Sequence, residues 1–288
     1  MLINLCAGLK KIGVPYRIND YSRMKRNMNE IAGVIGKPHV LDKFQWRNPI
    51  IFGAATFSHP VEYPRFSHSY PTVVKILVPG EWMRQMWLPY FGDKVITWPV
   101  GIDTDRWQPS AASAKIYDFL LYDKVLWNRP QKERELINPI RQVLHKRMLS
   151  FRELRYGSYR EEDYHHLLGQ CRAMIFLCEH ETQGLAYQQA LSAGVPILAW
   201  DGRGFWEDPT FYPHKVKYQP VSSVPYWDDR CGIKFHRIDE FEFRVDQFLN
   251  GLSAEKFAPR NFVLDTLTLE RCASRYLQIW HDVANSIR

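Results

Sequence analysis

The chain has no long apolar run. Its longest uninterrupted stretches, such as AMIFLC at 173–178, fall far short of the roughly 20 residues that a bilayer core demands, so no membrane-spanning helix is expected. Paired cysteines are absent too: Cys6, Cys171, Cys178, Cys231 and Cys272 include no CxxC spacing, and no Asn-x-Ser/Thr acceptor occurs. A scaffold held by disulfides or shielded by glycans is therefore not supported. At the amino end, MLINLCAGLKK sets its lysines after the apolar stretch, the reverse of a secretory leader's charge order, and the expected location is the reducing cytoplasm. Internal repeats, zinc-finger spacings, RNP-type aromatic motifs and basic regions leading into heptads are also missing, so no nucleic-acid partner is expected. His165, His166 and His180 lack the companion ligands of a metal site, and the expectation is no metal.

What remains is the composition of a folded protein. With 288 residues, 45% of them hydrophobic and 24% charged, the chain can build two domains of ordinary size. Charge is uneven. Residues 1–112 hold 14 Lys+Arg against 8 Asp+Glu, almost the whole of the chain's net +7. Arg23, Lys25 and Arg26, in YSRMKRNMN, form part of this excess. Such a patch could hold nucleic acid, a phosphorylated or otherwise anionic acceptor such as a lipid-linked phosphate, or the inner face of an anionic membrane. The plainer expectation is a solvated basic face.

Short β-branched or aromatic runs alternate with helical periods, the pattern of parallel βα units, and the fold class is α/β. In the first half, 14–20, 48–55, 72–80 and 94–101 read as strands, and 2–12, 22–33 and 80–90 as helices. The chain starts inside its first helix, so the first domain reads as lacking its opening strand. A linker is expected at 101–114, which divides the chain into domains 1–110 and 111–288. The second domain opens with the strand YDFLLYD (117–123) and a helix through ERELINPIRQVLHKRM, then runs βαβαβ from FRELRYGS (151–158) to VPILAWD (195–201). SSVPYWDDRCGIKF (222–235) reads as an aromatic loop that either lines a pocket or packs on itself. Ala273, Tyr276, Leu277, Trp280, Val283, Ala284 and Ile287 recur at helical spacing and predict a closing amphipathic helix.

The chemistry concentrates in CEHETQGLAYQQALSAGVPILAWD, residues 178–201. A strand, a turn carrying Glu181, and a helix opening at Gly184 would aim free backbone N–H groups at the carboxyl edge of a parallel sheet, where a phosphate is welcome. Glycine at 184 would also let a ligand approach the backbone closely.

In these residues the sequence resembles the retaining glycosyltransferases of family 4, whose GT-B fold sets two Rossmann-like domains facing across a cleft. Glu181, Gly184, Gln189-Ala190 and Gly194-Val195-Pro196 match the spacing of that family's signature, except that Gln189 replaces its second Glu. Lys124 and Arg129, in YDFLLYDKVLWNRP, match its pyrophosphate-binding pair with the residue types exchanged. KVITWPVGIDTDRWQP matches its interdomain element through Gly101, Asp103, Trp107 and Pro109, and PRNFVLDTLTLERCASRYLQIW resembles its closing helices.

The resemblance implies an enzyme that moves a sugar from a nucleotide diphosphate sugar to an acceptor hydroxyl without a cofactor or metal. It implies that Lys124, Arg129 and the helix start at Gly184 hold the donor diphosphate, with Gln183, Leu185 and Gln189 beside the donor. Glu181 would act as the catalytic carboxylate. His59, in FSHP after a strand, falls where the family often has an active-site histidine; a structural or solvent-exposed histidine is the plainer expectation there. The acceptor, whether glycan, lipid-linked or small molecule, would bind the first domain. The alternative is a non-catalytic relative, a sugar-nucleotide-binding or partner subunit, with Gln189 as a mark of lost catalysis.

Overall fold

The computed structural model describes residues 1–54, 56–110 and 114–287. In chain order the first elements are α1 (Leu2–Lys11), α2 (Tyr21–Arg26), β1 (Ala32–Ile35), β2 (Ile50–Gly53), α3 (Phe66–Ser69), β3 (Val73–Val78), α4 (Glu81–Phe91) and β4 (Val95–Thr97). They are followed by β5 (Tyr117–Lys124), α5 (Arg129–Lys132), a π-helical turn at Glu133–Ile137, α6 (Asn138–Lys146), β6 (Phe151–Arg155), α7 (Glu161–Gln170), β7 (Cys171–Cys178), α8 (Leu185–Ser192) and β8 (Ile197–Trp200). The chain ends through β9 (Gly232–Phe235), α9 (Phe241–Ser253), α10 (Pro259–Thr266) and α11 (Leu269–Ser286). Among the described residues no helix is long and apolar enough to cross a membrane.

Two compact units result, Met1–Gly101 joined by the segment from Leu267 onward, and Ile102–Thr266. The first holds a parallel sheet in the order β1-β2-β3-β4, which is sequence order. One face is covered by α1 and α11: Leu5 and Leu9 meet Ile51, Leu77, Trp98, Tyr276, Ile279 and Val283 in one apolar cluster. Contact is close because Gly8 has no side chain; a Cβ there would stand 2.3 Å from the Leu269 carbonyl oxygen. Aromatic rings fill the other face, with Phe57 stacked on Trp87 at 4.6 Å and Phe52 on Phe66 at 5.5 Å.

Three expectations change here. The sequence predicts the closing helix within the second domain, but its apolar stripe finds its partners on α1 and the first sheet. The 14–20 stretch is not a strand: Asn19 is left-handed at φ 56°, and the Asp20 side chain accepts from the Arg23 N–H to start α2. That helix stops at Arg26, and part of the span predicted as helix becomes β1.

The second unit also holds a parallel sheet, ordered β6-β5-β7-β8-β9. Its central strands are apolar on both faces, as a sheet covered on both sides requires: residues 119–122 and 173–177 are fully buried. The boundary lies earlier than the predicted 110/111. Trp107 packs on Tyr164 and His165, Ser192 Oγ donates to its carbonyl at 2.6 Å, and the Arg260 guanidinium donates to the carbonyls of Trp107, Ser192 and Thr104. Residues 102–110 thus belong with the second unit, and 111–113 of the predicted linker lie outside the described residues. The stretch predicted as an aromatic loop ends in a fifth strand, β9.

Candidate active site

In the second sheet the winding reverses at β5, with β6 on one side of it and β7 on the other. The carboxyl ends of strands flanking such a reversal open a crevice in which α/β proteins bind ligands. β5 ends at Lys124 and β7 at Cys178, so Lys124 and the turn 179–184 line that edge.

Lys124 Nζ donates to Glu181 Oε1 at 2.6 Å, and both side chains are largely buried, 18% and 9% exposed. The Tyr156 ring lies 4.4 Å from the ammonium and adds a cation–π contact. Burial pushes the Glu181 carboxyl above its ordinary range, against the pull of Lys124. Burial also opposes the Lys124 charge, and the carboxylate more than offsets it. Truncating one partner of such a pair, so that the other keeps neither the charge nor the hydrogen bond, leaves a buried charge at a cost of about 3–5 kcal/mol.

The turn is fixed on several sides. The Glu181 N–H donates to the Ser222 carbonyl at 2.9 Å. Glu179 Oε1 accepts from the N–H groups of Leu126 (2.9 Å) and Trp127 (2.8 Å), which fastens the loop after β5 to the end of β7. His180 stacks on Trp127, and its Nε2 accepts from the Trp206 indole at 3.1 Å. Burial, reinforced by the Lys124 charge, lowers the His180 pKa to about 4, so the ring is neutral with its proton on Nδ1.

Gln183 and Gln188 bond reciprocally: Gln183 Nε2 donates to Gln188 Oε1 at 3.0 Å, and Gln188 Nε2 to the Gln183 carbonyl at 2.5 Å. Gly184 is left-handed at φ 76°, and a Cβ on it would stand 2.0 Å from the Tyr187 ring. The ring, rather than a ligand, fills the space left by the absent side chain. Tyr187 also accepts from the Tyr226 N–H at 2.9 Å and donates to the Tyr226 carbonyl at 3.1 Å, which ties the 222–235 segment to α8. With glycine as its N-cap, α8 has no side-chain cap over its first amides. Leu185 and Gln189 are half-buried on the first turns of this helix.

Arg129 goes elsewhere. Consecutive strand residues point to opposite faces; Lys124 meets Glu181, while Asp123 holds Arg129 through Nη1–Oδ1 (2.8 Å) and Nη2–Oδ2 (2.6 Å). Nη2 also donates to Glu133 at 2.7 Å, and Nη1 to the Val125 carbonyl at 3.2 Å. The structure therefore brings Lys124 to Glu181 and engages Arg129 with two carboxylates. His59, in the first unit, is 1% exposed; its Nδ1 accepts from the Val61 N–H at 3.2 Å, and burial lowers its pKa to about 4. That is the geometry of a neutral cap on the turn at Pro60–Glu62.

Sequence reasoning missed Asp123 and Glu179, whose signal was their position beside strand ends. It also missed Tyr187, which only the left-handed Gly184 beside it could have marked. At the next strand end, Asp201 accepts from the Ser223 N–H (3.0 Å) and Lys234 Nζ (3.1 Å). Among the described residues no three His, Cys, Asp or Glu side chains group as metal ligands. A cavity of about 290 Å³ lined by Arg106, Ser110, Glu162, His165, His166 and Gly169 uses none of the residues at this edge.

No protein-family model matches the sequence, and no curated protein sequence matches it significantly. Solved structures do match. Sucrose-phosphate synthase from Thermosynechococcus elongatus aligns with TM-score 0.57 and 11% identity over 92% of this chain and 76% of its own. AviGT4, a glycosyltransferase involved in avilamycin A biosynthesis, gives 0.57 and 12% over 98% and 88%. TarM gives 0.60 and 12% over 90% of this chain, which spans 57% of TarM. Likeness at such identities establishes the fold: the protein has the α/β fold of the GT-B glycosyltransferases, built on two Rossmann-like units.

Proposed function

We propose that this protein is a glycosyltransferase that moves a sugar from a nucleotide diphosphate sugar to an acceptor hydroxyl with retention, without a metal. The observation that carries the reading is the buried Lys124–Glu181 pair at the winding reversal of the second sheet. The GT-B fold supports it. An ammonium and a carboxylate held 2.6 Å apart in a crevice are preorganised for a substrate that separates charge. Lys124 and the uncapped amides of α8 take the departing diphosphate, whose negative charge grows as the bond to the anomeric carbon breaks. Glu181 holds donor hydroxyls and stabilises the positive charge that develops on the sugar.

Arg129, engaged with Asp123 and Glu133, acts by holding the 125–128 turn that carries Lys124's loop. Gln183 is a positioning residue through Gln188, and Gln189 offers the nucleotide ribose one acceptor and one donor. The acceptor is assigned to the first unit, whose basic excess suits an anionic molecule. The test is release of nucleoside diphosphate from a panel of nucleotide diphosphate sugars, with and without added acceptor hydroxyls. Turnover of one donor, lost in Glu181→Gln while binding remains, is the expected result.

A second reading has its own support. Arg129 is satisfied by two carboxylates and Gln189 stands where a second carboxylate is expected, which fits a relative that keeps the fold without catalysis. A protein that binds none of the panel, even as Gln189→Glu, fits that reading instead.

A further inference from the structure

The segments leading into β1 and β2 form a surface unlike an ordinary solvated face. Residues 16–30 and 42–47 carry six cations, Arg17, Arg23, Lys25, Arg26, Lys43 and Arg47, against three carboxylates, Asp20, Glu30 and Asp42, of which Asp20 pairs with Arg17 and Glu30 with Arg23. Interleaved with them are large apolar side chains open to water: Ile18 is 54% exposed, Met28 46%, Tyr16 42% and Tyr21 37%. Single exposed apolar residues are commonplace, but several of them set among cations on one short segment mark a candidate interaction surface.

The two segments are physically one surface. The Tyr21 ring lies 5.4 Å from Phe44 and 6.2 Å from Trp46, and Arg47 Nη1 donates to Met28 Sδ at 3.7 Å. Asn48 Nδ2 bridges the segments by donating to the carbonyls of Asn27 and Glu30. Asp20 caps α2 and Glu30 holds Arg23 at 2.8 Å, so the helix is fixed while Lys25 and Arg26 stay exposed. Both segments precede their strands, which places the surface at the amino edge of the first sheet. His59, which follows β2, lies at the carboxyl edge.

A cationic surface draws several kinds of polyanion, and the apolar residues decide among them. Nucleic acid can stack bases on Tyr21 but offers nothing to Ile18 or Met28. A bilayer interface answers all three parts. Aliphatic side chains enter the acyl boundary, Tyr and Trp sit at headgroup depth, and Lys and Arg meet anionic headgroups. We propose that this edge of the first unit docks on an anionic lipid surface. None of its residues belongs to the donor site, so the proposal stands or falls apart from the catalytic reading.

The test is co-sedimentation of the full chain with vesicles of phosphatidylglycerol and phosphatidylcholine, against vesicles of phosphatidylcholine alone. Association with the anionic vesicles only, weakening as salt is raised, is expected. The double variant Lys25→Glu/Arg26→Glu should weaken it about twentyfold or more, since each cation near a charged bilayer contributes about 1 kcal/mol. Ile18→Ser should weaken it about fivefold by removing inserted apolar area. Both changes fall on exposed positions, and unchanged melting temperatures would show the fold intact. No association with anionic vesicles, or association indifferent to the double variant, overturns the proposal. So does a DNA duplex that displaces the vesicles while Ile18→Ser binds them as well as wild type, because the surface would then recognise polyanions without inserting.

Discussion

The two sheets are both parallel and of similar size, yet they are wound differently. The first runs β1-β2-β3-β4 in sequence order, whereas the second reverses beside β5. In a sheet wound one way, successive crossovers lie on one face, and the first unit covers its remaining face with α1 and α11. A reversal puts crossovers on both faces and opens a crevice between the strands at which it occurs. Only the second unit has this feature among the described residues, and its edge is where Lys124, Glu179, Glu181 and Asp201 gather. The corresponding edge of the first unit has His59, which caps a turn. Winding, more than composition, sets the edge that gathers these charged side chains apart from the edge that carries His59.

The sharpest break of that comparison is Glu181→Gln. The amide oxygen still accepts from Lys124, so folding and donor binding should persist, while turnover should fall about a hundredfold or more, as loss of one preorganised electrostatic group does. Equal turnover in both forms would remove Glu181 from the mechanism. Gly184→Ala comes next: the left-handed backbone and the Tyr187 ring leave no room for a methyl group. Chemical denaturation should show a loss of about 1–3 kcal/mol, typical of overpacking.

Acid acts on both units alike. His59 in the first and His180 in the second titrate near 4 when folded, against about 6.5 when unfolded. Between those values the unfolded chain binds protons at these two sites that the native chain does not, so the histidines' contribution to stability falls as pH drops through this window. Unfolding titrations across that range would check the slope, and His59→Phe should reduce it. The smallest expected effect is that of Gln189→Glu, which would tighten donor binding by about 1 kcal/mol or less with turnover nearly unchanged. Calorimetric titration of the donor would measure it.

Much of the second unit is legible in the sequence because its central strands are continuous apolar runs and its helices have clear periods. The Glu181–Gly184 turn stands out for the same reason, set between such a run and a helix. β1 is harder to see. AGVI is four residues long and follows a polar stretch with helical spacing, and its strand character comes from pairing with β2. β9, GIKF, is short in the same way. The closing helix is plain as a helix, but its partner is not, since an apolar stripe does not name the surface that buries it. At the site, strand order decides which residues meet. The cationic spacing of Lys124 and Arg129 could be read, but the alternation that sends Arg129 to Asp123 could not be applied without knowing where β5 ends.

The most direct test of the central claim, that the reversal in the second sheet is a diphosphate site, is calorimetric titration of free nucleoside diphosphates into the wild type and Lys124→Met. One nucleoside diphosphate should bind the wild type and bind the variant more weakly by about 1.5–3 kcal/mol, the worth of a charge-assisted hydrogen bond. Circular dichroism would confirm that the variant is folded. Binding of equal strength in both proteins, or no binding by the wild type to any member of the panel, would contradict it.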